Sequence, residues 1–389
     1  MYKKALCICL VTMLLFTSGC WSRKELNEIA IVLGAAVDKG SDGQVEITVQ
    51  IAKPSQMSIA AAGGKSGGST GRGEGAQVLS SQGKTVFDAV RNFVSITSRK
   101  LFWSHNQVLI FGEEAARQGI GQMLDWFERD HEPRARVWVL AARGEAKDIL
   151  KIPGLIEPVS ALGISDAVRA AVALSKSDQV NLHDFLSQYS SMATSAAMPR
   201  IELFAAEGGP KFRISGMAVF KKDKLTGWLD GTAARGLLWV RGRVESGILV
   251  VKIPGSEKGE LSLEIIKAKS KIKPEFVEGR PIVTVEIEEE GNIGEETVPV
   301  DLSKPDMIAA IEKKQAEAIA GEIKAALKFA RIHKADIFGF GEEFHRKFPK
   351  AWAEMKDRWE EEIPELPVKL KITTKIRRIG DKTISTSPK

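Results

Sequence analysis

The chain has 389 residues, of which 43% are hydrophobic and 27% are charged, and its formal net charge is +6 at pH 7. These values are typical of a folded globular body and exclude a chain that is disordered throughout. The basic excess is too small to indicate nucleic-acid binding, so no nucleic-acid partner is expected. A chain of this length exceeds what one hydrophobic core usually serves, and two or three domains are expected.

The first twenty residues have the pattern of an export signal. Lys3 and Lys4 precede an apolar run of twelve residues, 5–16, and small residues follow up to Cys20. Twelve residues is a signal-peptide length and is too short for a helix that crosses about 30 Å of hydrocarbon. The sequence therefore predicts a signal peptide over residues 1–19 and a mature chain that begins at Cys20.

The end of this signal resembles the lipobox of bacterial lipoproteins. It consists of Thr17, Ser18, Gly19 and Cys20. In a lipobox the cysteine sulfur carries a diacylglyceryl group, and the peptide bond before the cysteine is cleaved. Thr17 departs from the pattern, because lipoboxes usually carry leucine at that position. The alternative is an ordinary cleaved signal with Cys20 near the site by chance. We predict lipid attachment at Cys20.

The cysteine count supports the same prediction. Cys7 and Cys9 lie in the segment predicted to be removed, so no cysteine remains after Cys20. An exported chain with one cysteine forms no internal disulfide, and an unmodified exposed thiol would be a liability. A lipid on Cys20 accounts for both facts. The mature net charge of +4, without Lys3 and Lys4, is compatible with an anionic membrane surface.

The next part of the chain alternates between strand and helix patterns. Strands are predicted at 29–37, 45–51, 107–111 and 137–142, with a turn at 40–43. Helices are predicted from Thr85 with Asp88 as a capping box, from Glu113 and Glu114 through residue 127, and at 146–152, 166–175 and 182–189. Alternation of this kind indicates a helix-covered mixed or parallel sheet.

Residues 63–75 contain seven glycines and almost no apolar surface to bury. The segment is therefore expected to be a mobile loop that is dispensable for folding. The Gly-Lys pairs at 64–65 and 83–84 suggest phosphate loops. That motif needs another glycine five positions earlier, where Ile59 and Val78 stand. No nucleotide or other organic cofactor is expected.

Beyond Pro199 the character of the chain changes. Gly208, Gly209 and Pro210 are interpreted as a domain boundary. This boundary gives an N-terminal α/β region of one or two subdomains at 20–207, a C-terminal α+β domain at 208–381 and a flexible tail at 382–389. Strands are predicted at 214–220, 225–229, 261–266, 282–287 and 368–376, with Glu288–Glu290 leading into a turn. The fold class is α+β (mixed α/β) and multi-domain, with helix-covered mixed and antiparallel sheets.

Two long helical segments are predicted in this second half. The first begins at Pro305, with Ser303 as its cap and an apolar face formed by Ile308, Ile311, Ile319, Ile323, Leu327 and Ala330. The second is interrupted at Pro349 and places Phe344, Phe348, Trp352, Met355 and Trp359 on one side. Core packing is favoured for this aromatic side over docking of a partner helix.

No cluster of side chains predicts catalysis or metal binding. The histidines His105, His131, His183, His333 and His345 never pair at the i, i+4 spacing of a helical metal site. Glu128, Asp130 and Glu132 beside Trp126 suggest glycosidase carboxylates, but a solvated helix end is favoured. Lys369, Lys371 and Lys375 could meet lipid headgroups, and solvation of that strand face is favoured. We expect no enzyme, no metal and no cofactor.

Several segments together resemble the C subunit of spore germinant receptors, the Ger(x)C lipoprotein family. They are Gly19-Cys20-Trp21 and residues 23–26, 30–34, 83–89, 105–107, 113–119, 132–134, 216–225, 227–229, 235–237 and 336–341, followed by Trp352 and Trp359. The segments occur in the family's order and span nearly the whole mature chain.

The resemblance implies a three-domain α/β body, lipid-anchored through Cys20 to the outer face of the cell membrane, which in a spore is the inner membrane. It implies action with an integral-membrane A subunit and a B subunit that resembles amino-acid transporters, in the response to nutrient germinants. It supplies no catalytic residue, and it leaves open whether this subunit binds the germinant. The alternative is a solute-binding lipoprotein that delivers a small ligand to a membrane transporter, which requires two similar lobes that close on a cleft.

Overall fold

The computed structural model describes residue 2 and residues 28–53, 75–154, 156–298, 301–302 and 304–378. Its elements in chain order are β1 (Ile29–Lys39), β2 (Val45–Ala52), β3 (Ala76–Gly83), α1 (Val86–Asn92), β4 (Lys100–Phe102), β5 (Val108–Phe111), α2 (Glu113–Gln118), α3 (Gly121–Arg129), β6 (Trp138–Arg143), α4 (Ala146–Lys151), α5 (Ser160–Ala170), α6 (Leu182–Tyr189), β7 (Ala197–Phe204), β8 (Lys211–Lys221), β9 (Lys224–Leu229), α7 (Gly231–Arg241), β10 (Gly247–Lys252), β11 (Glu260–Val277), β12 (Arg280–Glu296), α8 (Pro305–His333), α9 (Phe340–Lys347), α10 (Pro349–Met355), α11 (Trp359–Glu362) and β13 (Val368–Arg378).

The first nine strands form one mixed sheet. Its order is β3-β2-β1-β5-β6-β7-β8-β9, and β4 pairs with the start of β1. The central strands β1, β5, β6 and β7 are parallel, because helices connect them. An antiparallel pair flanks them on each side, β2 with β3 and β8 with β9. The predicted helix-covered mixed sheet is confirmed.

Both faces of this sheet are covered. On one face the strands pack against α4 and α5, and on the other against α1, α2, α3 and α6. Alternate residues of β1 therefore enter different cores: Val32 and Ala35 enter one, and Leu33 and Ala36 the other. Burial on both faces explains why β1 is a continuous apolar run in the sequence.

The second sheet has four strands in the order β10-β11-β12-β13. The first three strands are antiparallel, and β13 joins β12 in parallel. The long helix α8 covers one face with Ile311, Ile319 and Ile323, as its 3.6-residue periodicity predicts. The larger core of the nine-stranded sheet continues between these elements, so one hydrophobic core serves both sheets. The α+β, multi-domain class with mixed and antiparallel sheets is confirmed.

Several predicted elements differ from the observed ones. Strands β11 and β12 extend far beyond 261–266 and 282–287, and Glu288–Glu290 lie inside β12 rather than in a turn. Lys269 and Lys267 of β11 face Glu288 and Glu290 across the strand pair, which explains how so polar a stretch remains a strand. Glu289 faces Ala268. The helix predicted from Glu113 is two helices, because Gly119 has φ +127° between them.

Other differences concern element starts and connections. The helix predicted at 166–175 begins at Ser160, and α7, β3 and β10 were not predicted. Gly208 and Gly209 turn between β7 and β8 within a single sheet. This turn does not test the predicted domain boundary at 207/208, which stays a prediction. Residues 63–74, Ser303 and the tail at 382–389 lie outside the described residues.

Candidate functional site

The predicted lipid site, Cys20, lies outside the described residues. The described body starts at Glu28, whose carbonyl oxygen accepts a hydrogen bond of 3.1 Å from the amide of Lys100. Glu28 is the eighth residue after Cys20 in the sequence. Across the parts of the chain that the structure describes, no helix is both long and apolar enough to cross a bilayer.

The predicted capping box is present at the start of α1. Thr85 Oγ1 accepts a hydrogen bond from the amide of Asp88 at 3.1 Å, and Asp88 accepts one from the amide of Lys84 at 2.9 Å. The Gly-Lys-Thr segment that suggested a phosphate loop therefore serves to start a helix. This geometry agrees with its missing first glycine.

A groove of about 810 Å³ lies between α1 and α3. Its wall includes Lys84, Phe87 and Trp126, and Phe87 is about half exposed. Arg129 is paired with Asp125 at 2.7 Å, so these two charges already satisfy each other. The indole Nε1 of Trp126 is buried without a hydrogen-bond partner in the described chain. The groove combines apolar surface with a few polar groups, which suits a small ligand or a segment of a partner protein.

The acidic turn after α3 is part of the framework. Glu132 is buried and pairs with Lys100 at 3.1 Å. Asp130 accepts a hydrogen bond of 2.9 Å from the amide of Glu132. The favoured interpretation as a solvated helix end is therefore wrong for Glu132, although Glu128 is exposed. This half-buried ion pair links the turn to β4.

The histidines and acidic residues do not assemble a metal site within the described ranges. His333 stacks on Phe329 with ring centroids 4.2 Å apart, and burial lowers its pKa. The predicted aromatic side of the last helices lies in the core: Phe344 packs against Trp359 and Trp352 packs against Trp359. Core packing is thus confirmed for that stripe.

A buried ion pair joins α7 to α8 and thereby links the two sheets. Arg235 and Glu322 form a bidentate contact, with Arg235 Nε 2.9 Å from Glu322 Oε2. Trp239 Nε1 donates to the same carboxylate at 2.8 Å, and Arg235 also donates to the carbonyl oxygen of Ile248 at 3.0 Å. These contacts leave both charges well satisfied, which a buried pair requires.

The close approach of these helices depends on Gly236. A Cβ atom at this position would lie 2.0 Å from the carbonyl oxygen of Glu322. The segment 235–237 is therefore a packing motif: its arginine makes the ion pair, and its glycine lets the helix backbones meet. Sequence reasoning noted the segment only as part of a resemblance and missed this role, because the partner lies 87 residues away.

Asp336 organises the turn between α8 and α9. Its carboxylate accepts hydrogen bonds from the amides of Phe338, Gly339, Phe340 and Gly341 and from Trp359 Nε1, at 2.7–3.1 Å. Complete burial raises the pKa of Asp336, while these donors oppose the shift. Gly339 adopts φ +78°, the left-handed conformation that glycine tolerates best. The segment 336–341 is thus a carboxylate-binding turn of the chain itself.

The four-stranded sheet contains a different kind of buried acid. Glu289 of β12 is 1% exposed and neither of its carboxyl oxygens has a partner in the described chain. Burial raises the pKa of Glu289 from 4.5 to about 8, and neighbouring Glu290 adds to the shift. Gln315 of α8 is also buried with both amide atoms unpartnered. Both side chains lie beside Gly291, so the two polar groups share one pocket under α8.

Comparison with known proteins places this architecture. The model of the "Spore germination protein N-terminal domain" family matches residues 22–203, and that of "Spore germination B3/GerAC like, C-terminal" matches residues 215–380. The two matches together cover most of the chain. The fold and these matches define the class as a two-module spore germination protein. The chain belongs to the Ger(x)C family, the C subunits of spore germinant receptors.

Similar proteins align from end to end. Spore germination protein KC of Bacillus subtilis (strain 168) is 29% identical over 96% of this chain and 96% of its own length. Spore germination proteins B3 and A3 of the same organism are 26% and 25% identical, each over at least 95% of both chains. The crystal structure of the GerBC protein matches with a TM-score of 0.58 and 22% identity, over 88% of this chain and 96% of that chain. This structural match shows the fold alone.

Proposed function

We propose that this chain is the membrane-anchored lipoprotein subunit of a nutrient germinant receptor and is needed for spore germination. The observation that carries the proposal is end-to-end similarity to spore germination proteins KC, B3 and A3. Because the similarity covers both modules, the proposal extends to the whole body rather than to one shared domain. We propose further that Cys20 carries a diacylglyceryl group and holds the body on the outer face of the membrane.

The subunit acts without catalysis in this proposal. The charged groups that the sequence or the fold brings together serve structure: Glu132 holds β4, Glu322 joins two helices and Asp336 closes a turn. Each of these carboxylates is already held by partners in the described chain: Lys100 for Glu132, Arg235 for Glu322 and backbone amides for Asp336. The proposed role is therefore assembly with integral-membrane A and B subunits in the germinant response.

The solute-binding alternative is less well supported by the architecture. It requires two similar lobes that close on a ligand. The described residues instead form a nine-stranded and a four-stranded sheet that share one hydrophobic core. A shared core resists the hinge motion that opens and closes such a cleft.

Affinity capture from spore membranes tests the assembly. The lipidated protein carries a tag at its C-terminus, and proteins captured after mild detergent extraction are identified by mass spectrometry. We expect integral-membrane A and B subunits at comparable abundance. Capture of a solute transporter in their place would support the alternative. Recovery of the protein without any membrane partner, under conditions that preserve other receptors, would contradict the proposal.

A further inference from the structure

The amino ends of β5 and β6 enclose a cavity of about 360 Å³ at one end of the nine-stranded sheet. Its polar lining includes Asn106, Gln107, Arg134, Arg136 and Asn181, and no carboxylate lines it. Two segments that carried the family resemblance, 105–107 and 132–134, meet here. Apart from the structural contact of Glu132 with Lys100, the proposed function uses neither of them.

Asn106 lies in the wall of this cavity with its amide unsatisfied. The residue is 6% exposed, and in the described chain neither Oδ1 nor Nδ2 has a hydrogen-bond partner. Burial of an unpaired amide is unfavourable, and most buried polar atoms in proteins have a partner. A polar ligand in the cavity would supply the missing hydrogen bonds.

The free charges of the cavity are two arginines. Arg134 and Arg136 are exposed, and neither forms an ion pair with any described residue. Other cations nearby are already neutralised: Arg169 pairs with Asp166, and Lys100 pairs with Glu132. The guanidinium fork binds phosphate oxygens in a bidentate manner, so two free arginines beside an unpaired amide favour a phosphate-bearing anion.

The cavity lies at the end of the sheet where the chain enters from Cys20. The amide of Gln107 donates a hydrogen bond of 2.9 Å to the carbonyl oxygen of Leu33 in β1. Leu33 lies four residues after Ile29, the first residue of β1. Ile29 is the ninth residue after Cys20, and such a segment spans at most about 30 Å. A folded body of this size is about 50 Å across. A lipid on Cys20 therefore keeps this end of the sheet toward the membrane.

Apolar side chains are exposed beside the same entry point. Val94 and Ile96 are 67% and 49% exposed. The loop that carries them continues through Arg99 to Lys100, whose amide bonds to Glu28. Exposed aliphatic groups at the end of a body that faces a membrane are typical of surfaces that meet the headgroup region of a bilayer.

We propose that this cavity binds the phosphate headgroup of an anionic phospholipid and so fixes the orientation of the body on the membrane. Arg134 and Arg136 bind the phosphate oxygens, and the amide of Asn106 donates to the headgroup. Val94 and Ile96 contact the lipid beside it. The inference rests on the proposed lipid anchor for the position of this face, but headgroup binding is a property of the body itself.

Vesicle sedimentation tests the site without the anchor. The mature chain, residues 20–389 with Cys20→Ser, is mixed with vesicles of phosphatidylcholine alone or with phosphatidylglycerol added. We expect binding only with phosphatidylglycerol. Because each basic residue near an anionic surface contributes about fivefold in affinity, the double variant Arg134→Gln/Arg136→Gln should bind about 30-fold more weakly.

The matched control removes two charges from the other sheet. Lys369 and Lys375 of β13 are exposed, so Lys369→Gln/Lys375→Gln changes the net charge by the same amount. This variant should bind like the parent. A loss as large as that of the arginine variant would show a general charge effect and would overturn the site.

The variant Asn106→Ala tests the cavity amide independently of the two arginines at the rim. The variant should keep the melting temperature of the parent, because the amide has no partner to lose, and should bind anionic vesicles several-fold more weakly. Unchanged vesicle binding would contradict a headgroup in the cavity. Saturable binding of inorganic phosphate with no binding to vesicles would assign the site to free phosphate instead. A wild-type protein that carries no lipid refutes the anchor, whereas this assay refutes only the headgroup site.

Discussion

Two buried carboxyl groups, one in each sheet, show how differently the two regions treat a charge. Asp38 at the end of β1 accepts hydrogen bonds of 2.8 Å from the amides of Ala146 and Lys147, and so caps α4 from a distant strand. Glu289 in β12 has no partner in the described chain and lies beside the unpaired Gln315. Burial raises the pKa of both, to about 6 for Asp38 and about 8 for Glu289.

Asp38 in the nine-stranded sheet therefore accepts two hydrogen bonds that stabilise the start of α4. Glu289 in the four-stranded sheet is buried without a hydrogen-bond partner in the described chain. An acid whose pKa is raised on folding binds protons more tightly in the native state. It therefore stabilises the fold at low pH, and that stabilisation is lost as the pH rises through the folded pKa. For Asp38 the loss is complete near pH 7, but for Glu289 it continues to about pH 9. The C-terminal region should accordingly be the one that weakens in mild alkali.

The largest expected effect lies at the joint between the two regions. Glu322→Ala leaves the buried Arg235 without its counter-ion and should lower the free energy of unfolding by about 3–5 kcal/mol. Replacement of both residues by methionine should cost less, because no unpaired charge then remains. Chemical denaturation measures both. Glu317→Ala, on the exposed side of the same helix, is the control. An equal loss of unfolding free energy in this variant would show that the ion pair does not account for the effect of Glu322→Ala.

Glu289→Gln tests the unpaired acid. The neutral amide cannot ionise, so the variant should match the parent near pH 5 and exceed its free energy of unfolding at pH 9. A shift from 4.5 to about 8 corresponds to a gain of about 5 kcal/mol at most, from 1.36 kcal/mol per pKa unit. Denaturation curves between pH 5 and pH 9 measure the gain. Glu288→Gln changes an exposed neighbour and should leave the curve unchanged; identical pH profiles for the parent and Glu289→Gln would contradict the account.

Asp38→Ala tests the satisfied acid. At pH 5 the variant should lose about 1–2 kcal/mol in the free energy of unfolding, because two amides of α4 lose their acceptor. The difference from the parent should narrow between pH 5 and pH 7, since Asp38 ionises at an unfavourable buried position over that range. Asp42→Asn, in the exposed turn after β1, serves as the control, because asparagine tolerates the positive φ of 53° at that position. A difference that widens with pH would show that the carboxylate form is favoured.

The smallest effect is expected for the glycine-rich segment. Shortening residues 63–75 to a few residues should change the free energy of unfolding by less than about 1 kcal/mol, because closure entropy varies slowly with loop length. Thermal unfolding of the shortened chain measures this. A large fall in melting temperature would show that the segment packs against the body.

The sequence correctly predicted the structural features that depend on the spacing of nearby residues. The apolar run at 29–37, the capping box at Thr85 and the apolar face of α8 all follow from local spacing, and each was confirmed. The full length of the pairing of β11 with β12 was missed, because Glu288 and Glu290 are stabilised as strand residues by Lys269 and Lys267 of the paired strand. The Arg235–Glu322 contact was missed because its partners lie 87 residues apart. The Asp336 turn was missed because its carboxylate binds backbone amides two to five residues later, which leave no side-chain pattern in the sequence. Asn106 gave no local signal in the sequence, because the lack of hydrogen-bond partners for its buried amide is visible only in the folded structure.

We propose that lipid attachment at Cys20 places this protein on the membrane and that its function depends on this attachment. Lipid labelling combined with a germination assay tests both statements. Two acyl chains suffice for stable anchoring, at about 0.8 kcal/mol per buried CH₂ group. Spores that carry Cys20→Ala are labelled with a fatty-acid analogue and then exposed to nutrient. The account predicts that the wild-type protein takes up label, the variant does not, and the variant spores respond slowly or not at all. Unlabelled wild-type protein, or variant spores that germinate with normal speed and sensitivity, would contradict it.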